Sequence, residues 1–435
     1  MAFSFDNARV TILGWARSGR AAARLASARG ARVFISDAKP RDKFDEEALT
    51  EIASFDHELG GHTARVLDAD IVILSPGIPT DVPALAEFKG KIWSELELAA
   101  RIIPCPIVAI TGTNGKTTTT TLLGEILKKG WRKGRVHVAG NIGTAAAHAA
   151  EEACPDDLCV LEISSFQLET IRAFRPRIAV WLNLRSDHLD RYSSIEEYQA
   201  AKERIFMNMR DPDIAIVNID DPRSAELADR LRARKQDGPR ILTISTIESA
   251  DFTPDALCQD RILNAAKSPE NLLAAVAVAR LLQIGEPDIQ ASLDSFQGLP
   301  HRIEPVGTCD GVAFYDDSKA TNVHSVEAAL KRLDPPIVLL MGGRDKGENY
   351  RELHRLVKEK CRAVVSYGEA AARIRETLGG DIVPRFDDAV RHSFRLARPD
   401  ACVLLSPACS SYDQFTDYAA RGNRFKALVS ELRGV

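Results

Sequence analysis

The sequence predicts an α/β protein with three domains, and three features support this: its length, its repeated strand and helix patterns, and two breaks in those patterns. Short apolar runs bounded by turn residues alternate with segments of helical periodicity, which is typical of parallel sheets covered by helices. With 435 residues, the chain is longer than one hydrophobic core usually supports, at roughly 100 to 200 residues per domain. Pro104 and Pro106 break the pattern after the first series of elements, and Gly298 and Pro300 break it after the second. We therefore expect domains over residues 1–97, 98–300 and 301–435.

The first domain is predicted to be Rossmann-like. Its predicted elements are strands at residues 9–13, 32–35 and 70–74, a turn at 14–19 and a helix at 20–29. The turn, GWARSG, resembles a dinucleotide-binding turn in which Ala16 replaces the middle glycine. Asp37 follows the second strand, where an acid can bond a ribose hydroxyl. A diphosphate site at the start of the helix and a purely structural turn are both compatible with these residues.

The middle domain is predicted to be a P-loop-type ATPase domain with a mainly parallel sheet. Its predicted elements are strands at residues 107–110, 159–163, 178–183 and 215–218, and helices at 117–129, 195–209 and 271–284. In residues 109–118, AITGTNGKTT, backbone N–H groups and the helix N-terminus are aimed at phosphates, while Lys116 adds charge and Thr117 an oxygen for Mg²⁺. Ile110 stands where the usual pattern has its first glycine, and a tight turn without a ligand would also explain the two later glycines. We predict a nucleoside triphosphate site here.

Further polar residues follow the ends of predicted strands in the middle domain. Glu162 ends a buried strand, as a metal-binding acid often does in a nucleotide-hydrolysing site, and Asp187 and His188 follow the next strand. Strand ends at one edge of a parallel sheet converge on a ligand crevice. Taken singly, each residue could be a helix cap or a surface residue, and Lys202 by itself has the pattern of a solvated lysine.

The third domain repeats the alternation and is also predicted to be Rossmann-like. Its predicted strands lie at residues 312–315, 337–341, 363–367 and 402–406. Polar clusters lie beside these strands, in the segments GLPHR, DDSKATN, GGRDK and SPACSSYDQF. Caps and turns explain the serines, aspartates and glycines of these clusters, but not the accompanying Arg302, Lys319 and Lys346. These cations predict an anionic substrate.

Composition argues against several classes of protein. The formal net charge of −4, from 57 basic and 61 acidic residues, argues against a nucleic-acid partner. No apolar run reaches the ~18 residues that a membrane-spanning helix needs, and the first residues lack the basic and apolar regions of a secretion signal. The eight cysteines form no Cys-x-x-Cys pair and are expected to be reduced thiols. We therefore expect a soluble, cytoplasmic protein.

Taken together, the polar segments resemble the Mur ligase family of bacterial cell-wall synthesis over the whole chain. The segments that carry the resemblance are TGTNGKTT, LEISSFQLE, DHLDRY, YQAAKERI, GLPHRIE, DDSKATN, GGRDK and SPACSSYDQF. Residues 317–322, DSKATN, are similar to the members of the family that add D-glutamate. The resemblance implies an ATP-dependent amide ligase of peptidoglycan synthesis that joins D-glutamate to UDP-N-acetylmuramoyl-L-alanine through an acyl phosphate. It implies ATP and two Mg²⁺ ions as cofactors, and we expect a monomer.

The resemblance also implies roles for individual residues. The implied catalytic residues are Lys116, Glu162, His188, Lys202 and Lys319. The implied ATP-binding residues are Gly112, Thr113, Asn114, Gly115, Lys116, Thr117, Thr118, Asn271, Arg302 and Asp317. The implied UDP-substrate-binding residues are Gly14, Arg17, Ser18, Asp37, Lys39, Asn141, Ser164 and Gln167. The implied D-glutamate-binding residues are Thr321, Lys346, Ser411 and Tyr418. The implied metal ligands are Thr117, Glu162, His188 and Lys202, the last as a carbamate formed with CO₂.

Some positions differ from the family pattern. Lys267 and Ser268 stand where the family has His and Asn, and Tyr418 stands where Phe is common. The stretch at residues 245–266 is short for the family, so the adenine contacts near residues 245–271 stay open.

Two other functions remain as alternatives at this point. One is an amide ligase of the same superfamily that adds a different amino acid, or that adds glutamates to folate. The other is a nucleotide-binding regulatory module without turnover. Such a module is predicted to lack Lys116, Glu162 or His188, and all three are present.

Overall fold

The structure is a computed structural model in which the chain forms two compact units. It describes residues 4–188, 191–233, 238–254, 269–296 and 298–433. The first unit comprises Met1–Leu184 and Ser194–Phe296, and the second comprises Arg185–Ser193 and Gln297–Val435. Two sheets belong to the first unit and one sheet to the second.

The first sheet is a five-stranded parallel sheet in the order β3-β2-β1-β4-β5. Its strands are β1 (Arg9–Leu13), β2 (Arg32–Asp37), β3 (Asp56–Leu59), β4 (Ile71–Leu74) and β5 (Lys91–Ser94). Its helices are α1 (Arg17–Ala28), α2 (Glu46–Ile52) and α3 (Glu95–Ala100). Because β1 leads directly into α1 and then β2, the predicted Rossmann-like unit is present.

The second sheet, also in the first unit, is a six-stranded parallel sheet in the order β11-β10-β9-β6-β8-β7. Its strands are β6 (Ile107–Thr111), β7 (Val136–Gly140), β8 (Leu158–Glu162), β9 (Ile178–Trp181), β10 (Ile214–Asn218) and β11 (Arg240–Ile244). The helices are α4 (Lys116–Gly130), α5 (Ala146–Glu152), α6 (Ser165–Leu168), α7 (Ile195–Glu203), α8 (Pro222–Ala233), α9 (Pro269–Leu281) and α10 (Glu286–Ser295). Every residue of β6 and β8 is buried, as expected for central strands that are covered on both faces.

The third sheet forms the core of the second unit, in the order β12-β13-β17-β14-β15-β16. Its strands are β12 (Glu304–Cys309), β13 (Val312–Asp316), β14 (Ile337–Gly342), β15 (Cys361–Tyr367), β16 (Asp381–Ile382) and β17 (Cys402–Leu405). Its helices are α11 (Val323–Arg332), α12 (His354–Lys360), α13 (Ala371–Leu378), α14 (Phe386–Ala397) and α15 (Tyr418–Arg433). All neighbouring strands are parallel except β12, which pairs antiparallel with β13.

A buried carboxylate on α3, which follows the last strand of the first sheet, accepts hydrogen bonds from the backbone before β9 of the second sheet. Glu97 of α3 is fully buried and accepts hydrogen bonds from the backbone N–H groups of Arg172 (2.8 Å), Ala173 (2.9 Å) and Phe174 (3.0 Å). Arg101 forms an ion pair of 2.6 Å with the same carboxylate. Three amides and a cation therefore satisfy the hydrogen-bonding capacity of this buried carboxylate.

The predicted α/β architecture of parallel sheets is confirmed, with local differences. Helix α1 begins at Arg17, three residues before the predicted start at residue 20, because the turn after β1 is shorter than predicted and ends at Ala16. Several strands at or next to sheet edges, such as β7 and β12, were not predicted, because their apolar runs are short or contain Pro and Gly. Among the described residues, no helix is both long enough and apolar enough to cross a membrane.

Candidate functional site

The turn between β6 and α4 has the backbone of a phosphate-binding loop. Gly112 (φ +154°) and Gly115 (φ +85°) adopt left-handed conformations that favour glycine, and α4 begins directly afterwards at Lys116. The loop is held in place by Asn183, whose carbonyl accepts from the Thr113 N–H (3.0 Å) and whose side chain accepts from the Asn114 N–H (2.9 Å). The positive end of α4 therefore faces this loop, as an anion site requires.

Two lysines lie at the carbonyl of Gly112. The Lys116 ammonium donates to the carbonyls of Gly112 (2.9 Å) and Thr113 (2.8 Å), and the Lys202 ammonium donates to Gly112 (2.9 Å). Lys202 is only 1% exposed, and its ammonium lies 4.6 Å from the centre of the Tyr198 ring. The interpretation of Lys202 as a solvated lysine is therefore wrong, and two cations lie where a polyphosphate would bind.

Glu162 provides a buried carboxylate next to the phosphate loop. It ends β8, which pairs with β6, and it is 2% exposed. Asn141 donates a hydrogen bond of 2.9 Å to Oε1 of Glu162, whereas Oε2 has no hydrogen-bond partner in the part of the chain that the structure describes. Carboxylate oxygens are preferred ligands of Mg²⁺, so this buried oxygen fits a metal ion that would remove the cost of leaving it unpaired. Thr117, in the first turn of α4, is also buried.

Asn271, on α9, lies against the phosphate loop. A Cβ atom on Gly115 would lie 2.1 Å from Oδ1 of Asn271, so no larger residue fits at that position of the loop. Oδ1 of Asn271 has no hydrogen-bond partner among the described residues. Thr118 is half-buried on α4, on the turn that follows the loop. The family-pattern departures Lys267 and Ser268 lie outside the described residues.

The turn after β1 has an open helix N-terminus. Gly14 has φ +89°, and both carboxylate oxygens of Asp37 accept backbone N–H groups, from Trp15 (2.6 Å) and Lys39 (2.8 Å). Ala16 caps α1 with extended backbone and no side-chain bond, and the first turn of α1 contains no acidic residue. The N–H groups of the first turn of α1, which no side chain caps, are therefore available to an anion such as a diphosphate.

Arg17 connects this turn to a loop of the second sheet. Its guanidinium donates to the carbonyls of Gly140 (3.2 Å) and Gly143, which flank Asn141 in the loop after β7. Ser18 is half-buried on α1, and Lys39 is exposed after β2. Predicted substrate residues of both sheets thus lie in one connected part of the first unit.

Ser164 and Gln167 form a capping box at the start of α6. The Ser164 hydroxyl accepts from the Gln167 N–H (3.3 Å), and the Gln167 side chain accepts from the Ser164 N–H (3.0 Å). Gln167 is buried, and its backbone carbonyl accepts from the Ser94 hydroxyl (2.8 Å). These two side chains therefore fix the backbone directly after the strand that carries Glu162.

In the second unit, Asp187 and Lys346 lie together. Asp187 accepts from the Asn322 side chain (3.1 Å), and its carboxylate lies 3.5 Å from the Lys346 ammonium. The adjacent His188 is partly exposed, with φ +56°. Burial raises the pKa of Glu348 to about 7, and the negative charge of Asp187 acts in the same direction. Asp187, which the sequence associates with the middle domain, thus belongs to the cluster that contains the predicted D-glutamate-binding Lys346.

Asp317 is the acid of the predicted ATP-binding set, and it is buried. It accepts from the Ser406 hydroxyl (2.8 Å) and the Ile303 N–H (3.3 Å). Burial raises the pKa of Asp317 to about 7, and the charge of Arg302 partly opposes this. Nε of Arg302 is buried without a hydrogen-bond partner among the described residues. Arg302 therefore lies close enough to Asp317 to affect its pKa, and it keeps a buried donor that a ligand could use.

The remaining predicted residues of the second unit lie around the start of α15. The Lys319 ammonium lies 5.3 Å from the centre of the Tyr418 ring, and the Lys319 carbonyl accepts from the Thr321 N–H (3.0 Å). Ser411 is buried, and its carbonyl accepts from the Phe415 N–H (2.8 Å). The structure therefore groups Lys319 with Tyr418, and Ser411 lies in the buried part of the segment between β17 and α15.

Arg421 is an important residue that sequence reasoning missed. It is completely buried on α15 and donates to the Ser318 hydroxyl (2.9 Å), the Ser318 carbonyl (2.8 Å) and the Cys409 carbonyl (3.2 Å). It thereby joins the DDSKATN and SPACSSYDQF segments. No local signal distinguishes it, because an arginine on a helix is usually exposed. The contact of Asn183 with the phosphate loop was also missed, although Asn183 ends a predicted strand.

Family models match three consecutive segments of the chain. A MurD N-terminal domain matches residues 9–83, a Mur ligase middle domain matches residues 110–266, and a Mur ligase glutamate ligase domain matches residues 301–409. The segments follow the order of the three sheets. The predicted boundaries near residues 97 and 300 stay predictions.

Curated proteins named UDP-N-acetylmuramoylalanine--D-glutamate ligase are similar to the chain over nearly its full length. The chain is 42% identical to that of Salinibacter ruber, and the match covers 98% of each protein. It is 41% identical to that of Geotalea uraniireducens, again over 98% of each.

Solved structures share the fold at low sequence identity. MurF from Acinetobacter baumannii matches with a TM-score of 0.61 and 17% identity, covering 93% of this chain and 91% of that one. The UDP-N-acetylmuramate-alanine ligase MurC of Thermotoga maritima matches with a TM-score of 0.59 and 18% identity, covering 98% of this chain and 99% of that one. This likeness confirms the predicted three-domain α/β fold.

Proposed function

Because the chain belongs to the Mur ligase family, we propose that it is the ligase that joins D-glutamate to UDP-N-acetylmuramoyl-L-alanine, with conversion of ATP to ADP and phosphate. The relatives that are about 40% identical over the full chain carry the name of this activity. The phosphate loop, its two lysines and the buried acid beside it suit an enzyme that forms amide bonds with ATP.

The reaction proceeds through an acyl phosphate. A carboxylate is a poor electrophile until one oxygen becomes part of a leaving group, so the γ-phosphoryl group is transferred first to the carboxylate of the L-alanine residue. The amine of D-glutamate then attacks the carbonyl carbon, and phosphate leaves. Transfer between two anions requires cations around the developing negative charge.

The first unit supplies these cations at the phosphate loop. Lys116 and the N–H groups of residues 112–118 would neutralise the β- and γ-phosphates, and Thr117 and Glu162 would hold Mg²⁺. When bound, Mg²⁺ supplies positive charge to the phosphates. The observation that carries the proposal is the buried Glu162 carboxylate, which keeps one oxygen unpartnered among the described residues at the strand next to the loop.

A second Mg²⁺ would be held by His188 and by Lys202 as a carbamate. The neutral amine of Lys202 would attack the carbon of CO₂ and lose a proton, which converts a cation into an anionic oxygen donor. Lys202 is buried beside the phosphate loop in the first unit, and His188 belongs to the second unit. This assignment rests on the resemblance to the family.

The UDP-sugar would bind to the first unit. The open N-terminus of α1, with Gly14, Arg17 and Ser18, would bind the diphosphate, and Asp37 and Lys39 would lie near the uridine. Asn141, Ser164 and Gln167 would contact the muramoyl-alanine part of the substrate. The contact of Arg17 with the carbonyls beside Asn141 supports a shared site for these residues.

The second unit would bind D-glutamate and part of ATP. Lys346 would pair with a substrate carboxylate, together with Thr321, Ser411 and Tyr418. Lys319 would stabilise the acyl phosphate. The adenosine side of ATP would contact Asn271, Arg302 and Asp317, an assignment that also rests on the resemblance to the family.

The proposed role is the synthesis of a peptidoglycan precursor. Through it the protein would contribute to cell-wall biogenesis, cell shape, and division within the cell cycle. We place the reaction in the cytoplasm, where ATP and UDP-sugars are made, and propose a monomer that binds no nucleic acid.

A substrate-resolved assay tests the proposed function. The protein is incubated with ATP, Mg²⁺, UDP-N-acetylmuramoyl-L-alanine and one amino acid at a time, and ADP and phosphate are measured. We expect release with D-glutamate. Release with L-lysine but not D-glutamate, or with folate and L-glutamate, would assign the chain to another ligase of the superfamily. ATP binding without ADP formation would favour the regulatory module.

A pair of variants ties the assay to the phosphate loop. Glu162→Gln should lose ADP formation because it removes the charge that binds the metal, whereas Glu152→Gln, on the exposed end of α5, should behave as the unaltered protein. Equal activity of the two variants would contradict the role of Glu162.

A further inference from the structure

Two cysteine thiols lie within reach of each other in the first unit. Sγ of Cys105 and Sγ of Cys159 are 3.5 Å apart, and both cysteines are free. Cys105 lies between Pro104 and Pro106, just before β6, and Cys159 lies on β8. We propose that this pair is a site of reversible oxidation, at which a hydroperoxide converts the two thiols to a disulfide.

The backbone around the pair holds the two residues in position. The Cys159 N–H donates to the Pro106 carbonyl (3.0 Å), and Cys159 is in register with Ile107 of β6. The two prolines have fixed φ angles and restrict the residues before them, so the segment at Cys105 has few alternatives. A disulfide requires the sulfurs to approach to about 2.05 Å, which is a side-chain adjustment from the present distance.

The two thiols differ in a way that assigns their roles. Cys159 is completely buried on a strand that is paired on both sides, whereas Cys105 is 8% exposed and belongs to no strand. The hydrogen bond from the Cys159 thiol lowers the pKa of Cys105, which favours the thiolate there. Cys105 is therefore the thiol that meets the oxidant, and Cys159 is the one that resolves the product.

The chemistry balances with a hydroperoxide as the oxidant. The Cys105 thiolate attacks a peroxide oxygen, the O–O bond breaks, and the departing hydroxide or alkoxide takes up a proton, which leaves a sulfenic acid. The Cys159 thiol then attacks the Cys105 sulfur, its proton passes to the departing oxygen, and the S–O bond breaks to release water. Two electrons pass from the two sulfurs to the peroxide, and a thiol reductant reverses the reaction.

The chain contains a control pair and a control thiol. Cys361 and Cys402 are both in register with Ile337, on opposite sides of β14. They are therefore separated by two strand spacings, about 9.5 Å, which is too far for a disulfide. Cys154 is exposed and reports that the oxidant has reacted with an accessible thiol.

Peptide mapping of the oxidised full-length protein tests the proposal. The protein is treated with hydrogen peroxide and then denatured in the presence of N-ethylmaleimide, which alkylates the remaining free thiols. It is digested with trypsin and an enzyme that cleaves before aspartate. The second enzyme is needed because the tryptic peptide of Cys159 also contains Cys154, whereas Asp156 and Asp157 lie between them.

We expect a linked Cys105–Cys159 peptide that is lighter by two hydrogens and disappears after reduction. It should form in Cys154→Ser, but not in Cys105→Ala or Cys159→Ala, and no Cys361–Cys402 peptide should form. Because Cys105 takes no part in the proposed reaction, the reduced Cys105→Ala protein should keep its ligase activity, so the two proposals can fail separately. The proposal is overturned if Cys154 is oxidised while Cys105 and Cys159 both carry N-ethylmaleimide, or if Cys105 is oxidised only to the sulfinic acid.

Discussion

Asn141 donates a hydrogen bond of 2.9 Å to one oxygen of Glu162 and so fixes the direction of the second, unpartnered oxygen. This places a neutral donor, and not a cation, next to the carboxylate that we assign to Mg²⁺. The carboxylate is therefore oriented by a neutral donor, and its second oxygen is left for the metal. The relationship leads to the first of five predictions.

Asn141→Ala should weaken the use of Mg²⁺. Without its donor, Glu162 would lose an orienting hydrogen bond to a charged group, which is worth about 1.5–3 kcal/mol, so kcat/KM should fall by about 10- to 100-fold. Asn141→Asp should be more damaging, because it places a like charge beside Glu162. ADP release as a function of Mg²⁺ concentration checks this, and a Mg²⁺ dependence equal to that of the unaltered protein in both variants would contradict it.

Lys116→Met should almost abolish ATP turnover. The side chain lies at the carbonyls of the phosphate loop, and the loss of one charge-stabilising group typically costs about 100- to 1,000-fold in kcat. The matched control is Lys128→Met, an exposed lysine near the other end of α4. Steady-state kinetics of both variants provide the measurement. Similar losses in both would indicate damage to the helix and not to catalysis.

Lys202→Ala should lose nearly all activity, and depletion of CO₂ should lower the activity of the unaltered protein. Both results follow if the buried amine acts as a carbamate. Isotopically labelled CO₂ should give a carbamate signal by nuclear magnetic resonance in the unaltered protein and none in the variant. Activity of Lys202→Ala at the normal rate, or an absence of the signal in active protein, would rule out the carbamate.

Lys346→Gln should raise the KM for D-glutamate and leave the KM for ATP unchanged. Its ammonium lies near the Asp187 carboxylate, and a substrate carboxylate would gain the same attraction. We expect an increase of about 10- to 100-fold, consistent with a charged hydrogen bond. Lys358→Gln, on an exposed position of α12, is the control. An equal effect on both substrates would show that Lys346 acts through the fold.

Glu95→Gln should make the protein less sensitive to pH. Burial raises the pKa of Glu95 from 4.5 to about 7, although the Ala147 N–H and the charge of Arg17 act in the opposite direction. The folded state therefore keeps a proton that the unfolded state loses above its pKa, and this contribution to stability is lost as the pH rises from about 4.5 to about 7.

This effect is measured by unfolding in urea at pH 5 and at pH 8, because most of the pH range over which Glu95 titrates lies between these two values. The free energy of unfolding of the unaltered protein should fall more than that of Glu95→Gln, by up to about 3 kcal/mol, at about 1.4 kcal/mol per pKa unit. An equal fall in both proteins would mean that Glu95 does not titrate in this range.

Local chemistry explains why much of the architecture could be predicted from the sequence. The phosphate loop is encoded by two glycines with positive φ between a buried strand and a helix, and all of these features are visible in TGTNGKTT. Central strands such as β6 and β8 are continuous apolar runs, which a single pass along the chain detects. Strand β12 could not be predicted, because its Pro305 and Gly307 argue against a strand, and its pairing with β13 is not visible in the sequence.

The parts of the site that escaped prediction depend on contacts between distant segments. Asp187 follows a strand of the second sheet in sequence, but it contacts Asn322 and Lys346, more than 130 residues away along the chain. Arg421 is buried only because three carbonyl and hydroxyl oxygens from separate loops surround it. No pattern within a helix or strand carries such information.

The three backbone amides held by Glu97 have a consequence for the design of chimaeric enzymes. Exchange of the first domain between relatives, with a junction at the predicted boundary, would split the carboxylate from the amides of residues 172–174. A recombinant protein should tolerate that exchange only when the donor also supplies a carboxylate at position 97. The part of the chain that must be exchanged as one piece is therefore larger than a single sheet with its helices.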